Sequence, residues 1–322
     1  MRIVDFTAAH IEQAAQIAKQ NYEEERGFVP ALPPIDAVPD LTPYTENGLG
    51  VAALEGDTLT GFLCSVGPFE NAFGSTNAAG VFSPMGTNGA VCVNRAGIYA
   101  RMYQAAGKKW ARGGATSHGI CLYAHDLETQ RQFFRYGFGL RCVDAIRGMD
   151  EIDASPCAGY DFMELTYDEL PQILILDHML DAHMAASPTF IQRPSDTLDS
   201  FIKKIEHFQS IFFVAKYNNK IVAYVRAELD GETFACAAPG YLHVKGAFCL
   251  PEHRGKGLHL TLLSLLVKKL RAQGYTRLGV DFESVNPAAY GFWLKYFNAY
   301  THSVVRRIDE HAVNTKKPIG NS

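Results

Sequence analysis

The segment Val244-Lys-Gly-Ala-Phe-Cys-Leu-Pro-Glu-His-Arg-Gly-Lys-Gly-Leu-His-Leu-Thr-Leu-Leu-Ser-Leu-Leu-Val267 contains three consecutive patterns. Its apolar run up to Leu250 predicts a β-strand, which Pro251 ends. Arg254-Gly255-Lys256-Gly257 predicts a basic, glycine-rich turn. Beyond the turn, leucines recur at helical spacing at positions 262, 265 and 266, so a helix is predicted to follow it.

This strand, turn and helix together predict an anion-binding site. Glycines allow backbone N–H groups to converge, the helix N-terminus adds further donors, and Arg254 and Lys256 add positive charge. A pyrophosphate is the expected ligand. Two other nucleotide motifs do not fit, because a dinucleotide fingerprint needs glycine where Leu260 stands and a P-loop needs Gly-Lys-Ser/Thr, whereas Gly257 is followed by Leu258.

The composition is that of an ordinary globular protein with room for two domains, since the chain has 322 residues, of which 47% are hydrophobic and 20% charged. A net charge of −4 gives no general attraction to nucleic acid or to anionic membranes, so neither is an expected partner. The seven cysteines show no metal-ligand spacing, and no metal is expected. An odd cysteine count and an N-terminus unlike a signal peptide predict a cytoplasmic protein.

Both halves of the chain predict helices and strands in a similar order. The first half predicts strands at 3–6, 51–54, 59–66, 79–83 and 119–124, and helices at 7–25, 98–111 and 129–136. The second half predicts strands at 162–165, 212–217, 221–227, 244–250 and 277–282, and helices at 168–184, 194–208, 258–269 and 287–296. Each half therefore alternates helices with strands, as an α/β fold does.

Particular residues also repeat, which indicates an internal duplication. Gly80-Val-Phe-Ser corresponds to Gly246-Ala-Phe-Cys, and Asp126 precedes Phe133 by the spacing that separates Asn286 from Trp293. The period of roughly 160 residues is that of a whole domain. We predict an N-terminal domain over 1–152, a C-terminal domain over 158–310 with a boundary at 153–157, and a flexible tail over 311–322.

The turn resembles the acetyl-CoA loop of the GCN5-related N-acetyltransferases (GNAT superfamily), with the pattern Arg/Gln-x-x-Gly-x-Gly/Ala after a central strand. Arg254, Gly257 and His259 occupy those places, although the family prefers a smaller residue than His259. The family's next signature, an asparagine before an aromatic helix, is met by Asn286. The resemblance implies two tandem GNAT-like domains, each with a mixed central sheet flanked by helices. It also implies acetyl-CoA as co-substrate, bound by Phe248, Cys249, Leu250, Arg254, Gly255, Lys256, Gly257, Leu258, His259, Asn286 and Trp293.

Two departures from the family pattern concern the proton donor and the N-terminal copy. Trp293 stands where the family often has the tyrosine that protonates the departing thiolate, and an indole N–H is too weak an acid for that role. Tyr290 and Tyr296 are candidate substitutes, or core aromatics. The N-terminal copy has one basic residue, Arg95, in its loop at 84–97, and Phe133 at the tyrosine position. It is predicted to be degenerate, an organisation similar to that of mycothiol synthase.

Members of this family transfer the acetyl group by direct attack of an amine within a ternary complex, so the resemblance implies a base that removes a proton from the ammonium. Glu283, at the end of its strand, and His243 are the candidates. Glu283 could instead cap the next helix or lie in solvent. His243 could be an ordinary strand-edge residue.

We therefore expect an acetyl-CoA-dependent N-acetyltransferase acting on a small-molecule or peptide amine. An acyl-CoA-binding regulatory protein without turnover is the alternative, because both tyrosine positions lack tyrosine. A tRNA-dependent aminoacyl transferase would need a basic track. The chain offers only the pairs 203–204, 268–269 and 306–307, which are typical of solvated helix faces. The sequence leaves the acceptor and the oligomeric state open.

Overall fold

The computed structural model describes residues 1–74, 78–155 and 157–313. The described chain forms two compact units: unit 1 contains Met1–Val143 and the residues from Ala299 onward, and unit 2 contains Asp144–Asn298. The domain boundary at 153–157 and the two domains over 1–152 and 158–310 were inferred from the repeat in the sequence. These bounds stay predictions. Position 156 of that boundary and the predicted tail from residue 314 lie outside the described residues.

The helices and strands follow one another in the following chain order. They are β1 (Arg2–Asp5), α1 (Ile11–Phe28), β2 (Val51–Glu55), β3 (Thr58–Leu63), β4 (Val66–Phe69), β5 (Gly80–Ser83), β6 (Asn88–Ala90), α2 (Arg95–Arg112), β7 (Ser117–Tyr123), α3 (Leu127–Arg135), β8 (Gly139–Gly148), β9 (Asp161–Glu164), α4 (Leu170–Ala185), α5 (Leu198–His207), β10 (Ile211–Tyr217), β11 (Lys220–Glu228), β12 (Tyr241–Cys249), α6 (Leu258–Ala272), β13 (Arg277–Glu283), α7 (Pro287–Trp293) and β14 (Asn298–Arg307).

Unit 1 contains two runs of paired strands, in the orders β1-β2-β3-β6 and β4-β5-β7-β14. The first run is antiparallel. In the second, β5 and β7 are parallel, from Gly80 opposite Ser117 to Ser83 opposite Ile120. Its core lies between these strands and α2, where Trp110 is fully buried and donates its indole N–H to the Leu49 carbonyl at 3.1 Å.

The strand β14 belongs to unit 1, although it comes from the end of the described chain. It pairs antiparallel with β7 over seven residues, from Thr301 opposite Tyr123 to Arg307 opposite Ser117. Val304 of β14 is fully buried in the unit 1 core. Alternation along residues 298–307 is compatible with a strand but does not identify its partner, so this placement could not be predicted from the sequence.

Unit 2 contains a sheet with the strand order β13-β12-β11-β10-β9. Its hairpin β10–β11 turns at Asn218 and Asn219, which both adopt left-handed backbone conformations with φ of 48° and 62°. Asparagine tolerates this conformation, which two-residue hairpins require. The hairpin predicted at this asparagine pair is therefore confirmed. Helices α4 and α5 pack on the sheet around the fully buried Phe201 and Tyr224.

The central strand β12 contains a bulge, because Val244 lies opposite Ala227 and Gly246 lies opposite Arg226, which leaves Lys245 as an extra residue. On its other side β12 pairs with β13 in parallel, and this register ends at Val244 and Val280. Both strands continue beyond that point, β12 to Cys249 and β13 to Glu283. A bulge bends its strand and strengthens the local twist, which accounts for the parting of β12 from β13.

The predicted mixed α/β fold is confirmed, and the predicted elements occur within a few residues of their expected bounds. Four strands were not predicted: β4, β6, β8 and β14. The first two have three or four residues, too few for a clear alternation. Helix α7 ends at Trp293, three residues before the predicted end.

Deleting residues 299–322 is expected to destabilise unit 1, because β7 loses its partner β14 and the core loses Val304. Amide hydrogen exchange in β7 should accelerate by at least about tenfold, which corresponds to a local loss above 1 kcal/mol. A chain that lacks only residues 314–322 is the matched control and should keep the exchange rates of the full chain. Unchanged protection of β7 in the longer deletion would contradict the pairing.

Candidate functional site

The turn between β12 and α6 has the backbone shape of an anion site. Gly255 and Gly257 both lie in the left-handed region, with φ of 75° and 82°. Gly257 is also the N-cap of α6, so the turn leads directly into the helix N-terminus. The first N–H groups of a helix have no intrahelical acceptor, and the helix dipole favours negative charge there. The predicted turn and helix start are therefore in place, at Leu258.

The two cations of the turn have different roles. Arg254 donates from Nε to the Cys249 carbonyl at 3.0 Å, and its guanidinium lies 5.6 Å from the centre of the Phe248 ring. Arg254 thus fastens the turn to the end of β12. Lys256 lies over the Tyr160 ring and donates to its hydroxyl at 3.1 Å. Cys157 donates to the Lys256 carbonyl at 3.0 Å, so the residues before β9 support the turn.

His259, in the first turn of α6, has a partly buried side chain. Burial lowers its pKa, and a hydrogen bond to the Phe248 backbone opposes this only in part. Within the described residues, its Nε2 atom is buried without a hydrogen-bond partner. Its ring lies 5.8 Å from that of Phe292 in α7. His259 therefore joins α6 to β12 and presents one unpaired nitrogen, in place of the small residue that the family pattern predicts.

Asn286 and Trp293 lie at the two ends of α7. Asn286 is buried and caps the helix, since its Oδ1 accepts a hydrogen bond from the Ala289 N–H at 3.4 Å. Trp293 is 7% exposed, and its ring packs edge-on against Phe292 at 4.9 Å and Phe297 at 5.5 Å. Both side chains thus have structural contacts that are sufficient to explain them.

The two candidate tyrosines occupy different surroundings. Tyr290 is 38% exposed on α7, with its ring edge-on to that of Phe282 at 6.0 Å. Phe282 belongs to β13 and directly precedes Glu283. Tyr296 follows α7 and lies 5.1 Å from Phe292, ring to ring. Tyr290 is therefore the tyrosine whose ring contacts the end of β13.

Glu283 is the last residue of β13, beyond the point where β12 and β13 stop pairing. Its side chain is mostly buried, and one carboxylate oxygen lies 3.5 Å from an Arg193 guanidinium nitrogen. The carboxylate is thus placed at the open end of the strand pair, with a partly exposed cation as its neighbour. The role of Glu283 as a base stays a prediction.

His243 lies deeper in unit 2, in a network with Tyr241, Lys245 and Asp281. Its side chain is 0% exposed, its Nε2 lies 2.8 Å from Asp281 Oδ1, and its Nδ1 lies 3.0 Å from the Tyr241 hydroxyl. Lys245 donates to the same Asp281 oxygen at 3.0 Å. Burial alone would lower the pKa of His243, but the Asp281 hydrogen bond and charge and the nearby Cys236 raise it to about 9. His243 is thus an imidazolium at neutral pH.

The network was only partly foreseen from the sequence. His243 was predicted as a candidate, whereas Tyr241, Lys245 and Cys236 were not. The signal that was missed is the pairing of the two strands. Residues 241 and 243 lie on one face of β12, and residues 279 and 281 of the neighbouring strand β13 lie on the same face of the sheet. A Cβ at Gly279 would lie 1.6 Å from the Tyr241 hydroxyl oxygen, so glycine there leaves room for this network.

The corresponding places in unit 1 are occupied by internal contacts. Arg95 forms an ion pair with Glu24 at 2.6 Å and lies 3.9 Å from Asp126. Phe133 is fully buried in the core. The one basic residue of this loop is therefore neutralised by carboxylates, in contrast to the glycine-rich turn of unit 2.

Residues 176–298 match the sequence model of the acetyltransferase (GNAT) family. Acetyltransferases from Yersinia pestis (strain Pestoides F) and Yersinia pseudotuberculosis (strain IP32953) are 33% identical to the chain over 93 residues. That alignment covers 29% of this chain and 60% of each relative. None of the described helices has the length and apolarity that crossing a membrane requires.

A GCN5-related N-acetyltransferase from Sphaerobacter thermophilus has a similar fold, with a TM-score of 0.57 over 95% of each chain at 11% identity. The family match covers most of unit 2, including the glycine-rich turn and the two parting strands β12 and β13. The fold similarity and the sequence match both concern acetyltransferases, and the glycine-rich turn lies within the matched residues. Residues 176–298 therefore have the sequence of the acetyltransferase (GNAT) family, and the chain has the fold of a GCN5-related N-acetyltransferase.

Proposed function

We propose that unit 2 is an acetyl-CoA-dependent N-acetyltransferase, which transfers an acetyl group to the amine of a small molecule or peptide by direct attack in a ternary complex. The observation that carries the proposal is the combination of a glycine-rich turn at the N-terminus of α6 with the end of β12, unpaired on its β13 side. The cysteine usage of the sequence, seven residues without paired spacing, supports the proposed cytoplasmic location. Unit 1, with its neutralised loop, is proposed to be degenerate.

The residues present fit a CoA pyrophosphate and pantetheine arm. The turn amides from Gly255 to His259 and the charge of Lys256 would hold the pyrophosphate. Phe248, Cys249 and Leu250 would pair with the pantetheine through their backbone, as an added strand does. When bound, acetyl-CoA supplies an activated acetyl group as a thioester.

Glu283 is the better of the two candidate bases. A base must reach the ammonium proton and must itself be unprotonated. His243 is buried, already carries a proton at neutral pH and is held by Asp281. Glu283 lies at the open end of the strand pair. We assign proton removal from the acceptor to Glu283, directly or through water, and a structural role to His243.

Proton donation to the leaving thiolate is assigned to a tyrosine rather than to Trp293. The indole is packed between two phenylalanine rings and is too weak an acid to donate its proton. Tyr290, with its contact to β13, is the first candidate and Tyr296 the second. A CoA thiolate, similar in pKa to a free cysteine at ~8.5, leaves tolerably near neutral pH without a dedicated acid.

The second candidate function is binding of acyl-CoA without turnover. It is favoured by one observation, the tryptophan at the place of the family's tyrosine in unit 2. This function predicts that the protein binds CoA with the same affinity but releases no free thiol from acetyl-CoA in the presence of any amine.

Gly257→Val is expected to weaken acetyl-CoA binding at least about tenfold, because valine tolerates φ of 82° poorly and its side chain would obstruct the turn amides. Isothermal titration calorimetry measures the loss. Gly274→Val is the matched control, because Gly274 has a similar φ of 87° and no neighbouring atom within 4 Å. It lies after α6, outside the glycine-rich turn. Equal affinity in Gly257→Val and the unaltered protein would show that the site is misplaced.

Release of free thiol from acetyl-CoA in the presence of a panel of amines tests turnover. Glu283→Gln is expected to lower kcat by about 10² to 10⁴, since it removes the base but keeps the size of the side chain. Glu164→Gln, which breaks an exposed pair with Lys269, should leave the rate unchanged. Binding of acetyl-CoA without thiol release for every amine would favour the second function. Full activity in Glu283→Gln would reject Glu283 as the base.

Asp281→Asn is expected to cost about 3 kcal/mol of unfolding free energy, because it removes one partner of a buried ion pair. His243 has a folded-state pKa of about 9, above its ordinary 6.5, so its contribution is complete below pH 6.5 and is lost as pH rises through 9. The difference between the variant and the unaltered protein in urea unfolding should therefore narrow toward pH 10. Glu164→Gln should cost under about 1 kcal/mol. A constant difference from pH 6 to 10 would contradict the ion pair.

A further inference from the structure

Unit 2 contains a cavity of about 610 Å³ at the N-terminal end of β12, away from the glycine-rich turn at its other end. Its volume is in the range of sites for small ligands. The side chains that matter for its chemistry are Asp230, Thr233, Cys236, Tyr241 and Tyr275. Among the described residues that line it, Asp230 is the one that is charged at neutral pH.

Cys236 reaches this cavity from a short 3-10 helix over Phe234–Ala237. Its Sγ lies 3.9 Å from Nδ1 of His243 and 3.5 Å from the Thr233 hydroxyl. The Tyr241 hydroxyl lies 3.0 Å from the same His243 nitrogen. The sulfur therefore has an imidazole and a hydroxyl within hydrogen-bonding range and remains partly exposed.

The His243 imidazolium has a proton on each ring nitrogen. An ionised carboxylate only accepts hydrogen bonds, so Nε2 donates to Asp281 at 2.8 Å. Nδ1–H faces the sulfur of Cys236, so the positive ring stabilises a thiolate there, and the proton of the thiol leaves to water. Asp281 and Lys245 balance the charge behind the ring. Burial alone would raise the pKa of Cys236, but hydrogen bonding to His243 and its charge lower it to about 7.

We propose that Cys236 is a nucleophilic thiolate and a site of covalent modification by small neutral or cationic disulfides that enter this cavity. The Cys236 sulfur attacks one sulfur of the disulfide, the disulfide bond breaks, and a new bond to Cys236 forms. The other half leaves as a thiolate and takes a proton from water. The Cys236 sulfur rises from the thiolate to the disulfide oxidation level as the leaving sulfur falls from the disulfide to the thiolate level, so no other oxidant is needed.

The chemical class of the disulfide follows from the lining. Asp230 repels an anionic reagent, whereas the aromatic and aliphatic side chains accept a neutral or cationic one. Glu232 lies nearby, 3.8 Å from Lys245, and adds to the negative field at this end of the strand. The modification goes beyond acetyl transfer and does not depend on it, because the cavity lies outside the glycine-rich turn.

The test uses the full chain and two probes, cationic cystamine and anionic 5,5′-dithiobis(2-nitrobenzoate). Brief labelling between pH 6 and 9, followed by peptide mass spectrometry, reports each cysteine separately. Exposed Cys92 is the reference thiol within the same molecule. We expect the rate at Cys236 to follow a titration with a midpoint near pH 7, and the ratio of cystamine to anionic probe to be higher at Cys236 than at Cys92.

His243→Gln removes the positive charge that stabilises the Cys236 thiolate. The thiolate fraction of Cys236 at pH 7 should fall from about a half to about 3%, the value for an ordinary thiol of pKa ~8.5. The rate should fall less, about threefold, because a more basic thiolate is a stronger nucleophile. The titration midpoint should move above pH 8. A melting curve shows whether this variant folds, and the unaltered chain decides the question by itself if it does not.

Two results would overturn the proposal. The first is a Cys236 titration in the unaltered chain with a midpoint at pH 8.5 or above. The second is labelling of Cys236 by cystamine only in urea, which would show that disulfides do not reach the sulfur through the cavity.

Discussion

The bulge at Lys245 is the constraint on which the rest of unit 2 depends. One extra residue in β12 bends the strand, and the parallel register with β13 ends at the preceding residue, Val244. A regular strand would continue to pair toward Glu283 and would leave no open backbone. The bulged residue also has a charge role, since Lys245 reaches Asp281 at 3.0 Å. The same residue thus opens the strand pair and neutralises the carboxylate behind it.

Two chemically different regions occupy the two ends of β12. At its C-terminal end, backbone groups, glycine conformations and a helix N-terminus provide diffuse positive potential, which suits a large anion. At its N-terminal end, a histidine is held by a carboxylate on one side and meets a thiol on the other. The first region depends on the backbone and tolerates many side chains. The second depends on three side chains whose identities are not interchangeable.

Local features were predictable because their causes are local. The asparagine pair at 218–219 specifies a tight hairpin, and the alternation of glycine and cation at 254–257 specifies the turn before α6. The network of His243 could not be derived in this way. Its partner Asp281 is 38 residues away, and their meeting depends on a parallel register that the sequence does not encode as a motif. Cys236 lies only seven residues before its partner His243, but no motif marks the short 3-10 helix that brings the thiol to the ring.

The place of β14 has a consequence for the order in which the chain folds. Thr301 pairs with Tyr123, so about 180 residues separate the partners, a long loop closure for a single strand pair. During synthesis, unit 2 is complete before β14 emerges, although unit 1 starts first. Domains that emerge first usually fold first. Here the edge of β7 stays unpaired until β14 has been synthesised. An unpaired strand edge can associate with another chain, and chaperones or rapid elongation would protect the nascent chain from this.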